Sequence, residues 1–179
     1  MKILVINTCK EPLHYYEFVK PIEDILEKNN IRFLTKHYSE ISEKDLKKST
    51  KIIICGTSLK DNQFIRDINY FNWIKNYDKP IFGICAGMQI ISLIFGSKLK
   101  FKKEIGFYTE NFKKRFLGLE RKQEVYHLHN NYTALPRGFI QFNDGKIPQA
   151  IKYKEKEIYG VLFHPEVRNK KLILNFVIN

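Results

Sequence analysis

The sequence predicts an open α/β fold, a mostly parallel twisted sheet with helices on both faces and additional strands in the second half. Two observations carry that prediction. The first half alternates short apolar runs with helix-period patterns. The runs at residues 51–55 and 80–84 are almost continuously apolar, as expected of strands covered on both faces. A chain of 179 residues that shows no internal repeat and no Gly/Ser/Pro-rich linker fits one domain, residues 1–179, with a sizeable core.

The elements follow in order. Residues 2–7 read as a buried strand. Residues 15–29 read as a helix that Pro21 breaks or restarts. Residues 31–37 form a second strand, and Ser42 with Asp45 resembles a helix capping box. Residues 51–55 are the third strand. Asp61 is placed as the cap of a helix carrying Phe64, Ile68, Phe71 and Ile74. Residues 80–84 are the fourth strand, and residues 86–95 an apolar helix stopped by Gly96. The second half is richer in strand patterns, at 124–129, 139–142, 149–153 and 158–163. A final helix is expected over 170–177.

Composition bounds the function. Lys and Arg number 31 and Asp and Glu 19, for a formal net charge of +12. Such a charge invites a nucleic-acid reading. The lysines are dispersed, however, and no RNA-binding motif or recognition-helix signature accompanies them, so a solvated surface is the better reading. The densest stretch, residues 98–122, is a candidate basic docking face. No apolar run reaches the length of a membrane span, and the N-terminal residues lack the pattern of a secretory signal. The three cysteines, Cys9, Cys55 and Cys85, show neither a disulfide framework nor a zinc pair. These features place the chain in a reducing cytoplasm, with no membrane association.

The most informative stretch is Gly83-Ile84-Cys85-Ala86-Gly87, which leaves an apolar strand and opens an apolar helix. This is G-x-C-x-G, the thiol version of the nucleophile elbow. Glycines two before and two after the nucleophile let the chain pass close to itself. The thiol then projects at the carboxyl end of the strand, where open α/β sheets place their ligands. A helix N-terminus favours an anion there, and the backbone N–H of Ala86 can hold an oxyanion. In isolation the pattern also fits a buried cysteine at a glycine-rich turn. Cys9 and Cys55 lack this setting and read as packing thiols.

A cysteine nucleophile needs a base, and the base an orienter. Among five histidines, His164 stands beside a carboxylate at a useful spacing. In an extended segment Glu166, two residues on, shares its side and can accept from one imidazole nitrogen while the other faces Cys85. Taken alone, a strand-end histidine beside a solvent-exposed glutamate fits equally well. His127 and His129 share a strand face, which hints at metal. No third ligand stands at a recognisable spacing, so neither a metal nor a cofactor is expected. His14 and His37 carry no signal.

Together these residues resemble the class I glutamine amidotransferases, the triad glutaminase family. Ile81-Phe-Gly-Ile-Cys85-Ala-Gly-Met-Gln89 is similar to that family's nucleophile motif. Gly160-Val-Leu-Phe-His164-Pro-Glu166-Val167 is similar to its His-Pro-Glu motif, with Leu162 where Gln is usual. The resemblance covers nearly the whole chain and leans toward the glutaminase of GMP synthase. It implies a flavodoxin-like sheet and a Cys85-His164-Glu166 triad that hydrolyses glutamine through a γ-glutamyl thioester. It further implies an oxyanion loop at Gly56-Thr57, with Ala86, Gln89, His129, Asn130 and Asn131 around the bound substrate. Two loops depart from the family pattern. The oxyanion loop reads Gly56-Thr57-Ser58 where Gly-Gly-Pro is usual, and the substrate loop reads His129-Asn130-Asn131 where His-Gly-Asp is usual. The chain ends 13 residues after Glu166 (179 − 166), so the resemblance implies a separate ammonia-accepting synthetase as partner. A γ-glutamyl peptide hydrolase or peptidase-like relative on the same fold, and a non-catalytic regulatory paralogue, are the competing readings.

Overall fold

A computed structural model describes residues 2–179. Its centre is a seven-stranded sheet in the order β2-β1-β3-β4-β9-β8-β7. The strands β1 (Ile3–Asn7), β2 (Phe33–His37), β3 (Lys51–Ile54), β4 (Ile81–Ile84) and β9 (Ile158–Val161) run parallel. At one edge β8 (Ala150–Tyr153) and β7 (Phe139–Gln141) extend the sheet antiparallel. These are the extra second-half strands that the sequence pattern predicts.

Helices cover both faces. On one lie α1 (Pro12–Phe18), α2 (Lys20–Lys28) and α6 (Lys170–Ile178), burying Phe18, Ile22, Leu26, Leu172 and Phe176 against the sheet. The single helix expected over 15–29 is two. The chain breaks at Val19 and restarts with Pro21 in the first turn of α2, where a missing N–H costs nothing. On the other face lie α3 (Glu43–Lys48), α4 (Gln63–Arg66), a 3₁₀ stretch (Ile68–Asn76) and α5 (Ala86–Ile94). The capping box is formed: Ser42 accepts from the Asp45 N–H, and the Asp45 carboxylate accepts from the Ser42 N–H. The helix expected to carry residues 64–74 is one α-turn followed by 3₁₀ geometry, which still buries Phe64, Phe71 and Ile74.

The sequence reading missed one large feature. Residues 98–122, read as a basic edge, belong to a long hairpin of β5 (Leu99–Phe116) and β6 (Leu119–Thr133). It forms a separate two-stranded sheet, and the strand expected over 124–129 is only part of β6. Phe116 pairs with Leu119 across a two-residue turn in which Leu117 (φ +45°) and Gly118 (φ +92°) are both left-handed. Two positive φ values match a type I′ turn. The turn lacks the Asn-Gly signature that would announce it.

Candidate active site

The carboxyl ends of β3, β4 and β9 meet at one edge of the sheet, and each delivers a predicted residue. Cys85 follows β4 at the entry to α5 with φ +49° and ψ −103°, a conformation that costs a non-glycine residue about 1–3 kcal/mol. The flanking glycines make the turn possible. A Cβ on Gly83 would stand 2.5–2.6 Å from the backbone of Gly87, and a Cβ on Gly87 would collide with the carbonyl of Ile54 in β3. The Cys85 N–H donates to the carbonyl of Val161 (2.8 Å), tying the elbow to β9. Ala86 is the first residue of α5, so its N–H has no intrahelical acceptor.

His164 and Glu166 follow β9. Nδ1 of His164 is 2.7 Å from Oε1 of Glu166, and both residues are buried. The other ring nitrogen, Nε2, is also buried and has no hydrogen-bond partner. Burial alone would lower the imidazole's pKa. The Glu166 carboxylate and the Cys85 sulfur outweigh it and hold His164 well above the ordinary histidine value. The backbone fixes the ring as well, because the His164 N–H donates to the carbonyl of Tyr126 in β6 (2.8 Å). Burial pushes Cys9 up to about 11 and Cys55 well above its usual value, consistent with packing roles.

Gly56 leaves β3 beneath the side chains of Cys85 and His164. A Cβ there would stand 2.8 Å from Cε1 of His164 and 3.4 Å from Cβ of Cys85. Thr57 keeps a negative φ, so a β-branched side chain is tolerated where the family pattern has glycine. Its hydroxyl donates to Asp61 (2.7 Å), and Asp61 also accepts from the Lys10 N–H (2.7 Å). The sequence places Asp61 as a helix cap. In the structure it chiefly anchors the 57–61 loop, although it also accepts from the Gln63 N–H (3.2 Å).

The end of β6 covers the site. The Cys85 thiol points at the carbonyl of Leu128 (3.7 Å), Gln89 Nε2 donates to the carbonyl of Asn131 (2.8 Å), and Asn130 Nδ2 donates to the carbonyl of Leu59 (3.0 Å). What remains is a cavity of about 20 Å³ lined by Thr57, Cys85, Gln89, Leu128, Asn130 and Asn131 among others. That is room for about one water, far less than glutamine occupies. His129 borders the same cavity, but its ring approaches Glu104 on β5 rather than the sulfur. The predicted residues therefore converge, with Gln89 and Asn130 engaged by backbone and His129 turned aside. Leu128, Tyr126 and Asp61 contribute contacts that sequence reasoning missed. The first two act through main-chain carbonyls, which no side-chain motif reports.

Comparison with known proteins places this geometry. The family model for glutamine amidotransferase class-I matches residues 14–178. The chain belongs to the class I glutamine amidotransferases. Among curated relatives, a GMP synthase [glutamine-hydrolyzing] of Clostridium tetani is 37% identical over 114 residues, covering 57% of this chain and 22% of that protein. One from Staphylococcus epidermidis is 33% identical over 157 residues, covering 79% of this chain and 30% of that protein. The chain thus spans less than a third of these relatives' length. Among solved structures, a putative GMP synthase protein from Thermoplasma acidophilum superposes with a TM-score of 0.86 at 21% identity, covering 99% of this chain and 92% of that one. A glutamine amidotransferase from Thermotoga maritima gives a TM-score of 0.72 at 22% identity, covering 93% and 76%. Both neighbours share the amidotransferase fold. Among the described residues, no helix is long and apolar enough to cross a membrane.

Proposed function

We propose that this amidotransferase hydrolyses glutamine to glutamate and ammonia and delivers the ammonia to a separate synthetase of the GMP synthase type. One observation carries the reading. The cysteine in the strained elbow and a buried histidine meet over Gly56, and a buried carboxylate holds the histidine's Nδ1 at 2.7 Å.

The chemistry follows from the side chains. The Cys85 thiolate attacks the side-chain amide carbon of glutamine. The N–H of Ala86 and the Gly56-Thr57 loop hold the oxyanion. His164, charged in the resting site, gives its proton to the departing ammonia and leaves a γ-glutamyl thioester. It then takes a proton from water, whose hydroxide attacks the thioester, releases glutamate and expels the Cys85 thiolate, so the thiolate and the charged imidazole are both restored. Glu166 holds the imidazole in place and stabilises its cationic form. The cavity is smaller than the substrate, so glutamine enters when the end of β6 or the 57–61 loop moves aside. The β5–β6 hairpin, with Phe101 and Phe107 exposed among its lysines, is the docking face this reading assigns to the synthetase.

The test is a glutamine-mimicking electrophile read by intact mass, with Cys85→Ser alongside. Stoichiometric labelling of the wild-type chain only is the expected result. Absence of labelling, alone and with candidate synthetases present, would overturn the reading.

A further inference from the structure

The hairpin carries a second cluster that the glutamine chemistry does not use. His127 and His129 lie two residues apart on one face of β6, and the antiparallel register sets Glu104 of β5 directly across from His129. Glu104 Oε2 stands 3.1 Å from His127 Nδ1 and 3.1 Å from His129 Nε2. One ligand atom from each of the three residues lies within 4.8 Å of the others. Both rings are buried, His127 at 0% and His129 at 2% exposure. Neither nitrogen of His129 has a hydrogen-bond partner, and neither has His127 Nε2. A second carboxylate, Glu110 Oε1, lies 3.6 Å from His127 Nε2. Among the described residues no Lys or Arg pairs with Glu104 or Glu110. Their other polar neighbours are the neutral amides of Gln149 and Asn143, at 3.2 Å each. Carboxylates that are largely withdrawn from water without a cation are costly, and one of the usual solutions is a metal.

We propose that Glu104, His127 and His129 bind one divalent transition-metal ion of the zinc class, through Glu104 Oε2, His127 Nδ1 and His129 Nε2. Two imidazoles and one carboxylate are a donor set for zinc rather than for calcium or magnesium, which take oxygen ligands. Ligand bonds of about 2.0–2.2 Å in tetrahedral geometry put neighbouring ligand atoms roughly 3.3 Å apart. The two 3.1 Å separations are already near that. With Nδ1 on the metal, the other nitrogen of His127 faces Glu110. At 3.6 Å this is a contact rather than a hydrogen bond; closing it would give the carboxylate–histidine–metal arrangement that fixes tautomer and ring orientation. The fourth position falls to water. The ion would fasten β5 to β6 one residue from Leu128, whose carbonyl faces the Cys85 thiol.

The test strips the full chain with a chelator and titrates Zn²⁺ against a chromophoric competitor. In parallel, Co²⁺ is added and its absorption spectrum recorded. Expected are one equivalent bound and a cobalt spectrum without a thiolate-to-metal charge-transfer band. Glu104→Gln and His127→Ala should each weaken Zn²⁺ binding by on the order of a hundredfold or more, above the loss typical of an outer-shell partner. Cys85→Ser should bind as the wild type does. No uptake by the wild-type chain would overturn the proposal. So would a thiolate band, or binding lost in Cys85→Ser and kept in Glu104→Gln. If the hairpin variants fail to fold, the cobalt spectrum of the unmodified chain decides.

Discussion

Replacing Gly56 by alanine would show whether the floor of the site positions the base. The added Cβ would meet His164 Cε1 at 2.8 Å, whereas ordinary contact starts near 3.4 Å, so 0.6 Å (3.4 − 2.8) must be found. The ring has little freedom to give it. Nδ1 is held by Glu166 at 2.7 Å, the backbone N–H by Tyr126 at 2.8 Å, and Phe18 packs at 5.5 Å between centroids. Overpacking of this kind costs about 1–3 kcal/mol of stability. The larger effect should fall on rate. A displacement of about 1 Å costs on the order of a hundredfold, so 0.6 Å should cost roughly tenfold in kcat, or ~1.4 kcal/mol. Glutamate release at saturating glutamine measures this, with a thermal melt on the same sample. Gly96→Ala is the matched control: its φ is +82° with nothing within 4 Å of the new Cβ. It should lose about 1 kcal/mol of stability and keep its turnover per folded molecule. Gly56→Ala turning over at the wild-type rate while folded would refute the positioning argument.

Three further outcomes follow from the same geometry. Cys85→Ser should abolish nearly all turnover, while Glu166→Gln should lose on the order of 10²–10⁴-fold; steady-state kinetics at wild-type level for either would break the assigned roles. Because His164's folded pKa is raised, its contribution to stability is complete below the unfolded value of about 6.5 and is lost as pH rises through the folded value. Urea midpoints measured upward from pH 6.5 should therefore fall, and fall less in Glu166→Gln; identical profiles would count against the charged histidine. Gly87→Ala drives a Cβ into the Ile54 carbonyl, where backbone cannot yield. It should cost upwards of about 3 kcal/mol or prevent folding, as soluble yield and denaturant titration will show.

How far the sequence could be read depended on whether a constraint was local. The elbow was legible because its glycine spacing lies within five residues of chain, and the Gly83 contact with Gly87 is local, although Gly87 itself is kept bare by Ile54 in β3. The His164–Glu166 pair was legible because an i, i+2 spacing survives in an extended segment, and the two groups meet at 2.7 Å. The parallel strands were legible because burial on both faces leaves unbroken apolar runs, as in Ile52-Ile53-Ile54. β5 was not legible. Its outward residues are mostly lysines and exposed aromatics, so no buried face imposes a clean alternation, and its turn is Leu117-Gly118 rather than Asn-Gly. With β5 unseen, the cross-strand register that sets Glu104 opposite His129 was out of reach as well. That is why two histidines on one face showed no third ligand.

The same hairpin bears on how the site opens. Three contacts hold the end of β6 and the 57–61 loop over Cys85: one thiol–carbonyl contact at 3.7 Å and two amide–carbonyl hydrogen bonds at 2.8 and 3.0 Å. Each amide bond is worth about 0.5–1.5 kcal/mol net, and the thiol contact is weaker. Breaking these contacts alone costs roughly 1–3 kcal/mol, which holds the open fraction at or below about 1–10%. Apparent affinity for glutamine falls by that fraction, so the closed state restrains turnover without abolishing it. The cover is the inner end of a strand whose antiparallel mate exposes Phe101 and Phe107, and the carbonyl of Tyr126 on that strand also holds His164. A partner docked on the outer face of the hairpin, as proposed above, would act on the cover and on His164 through one strand. A few kcal/mol of differential binding is enough to invert the equilibrium. Access to Cys85 and the placement of His164 are then set by the same strand, and so change together.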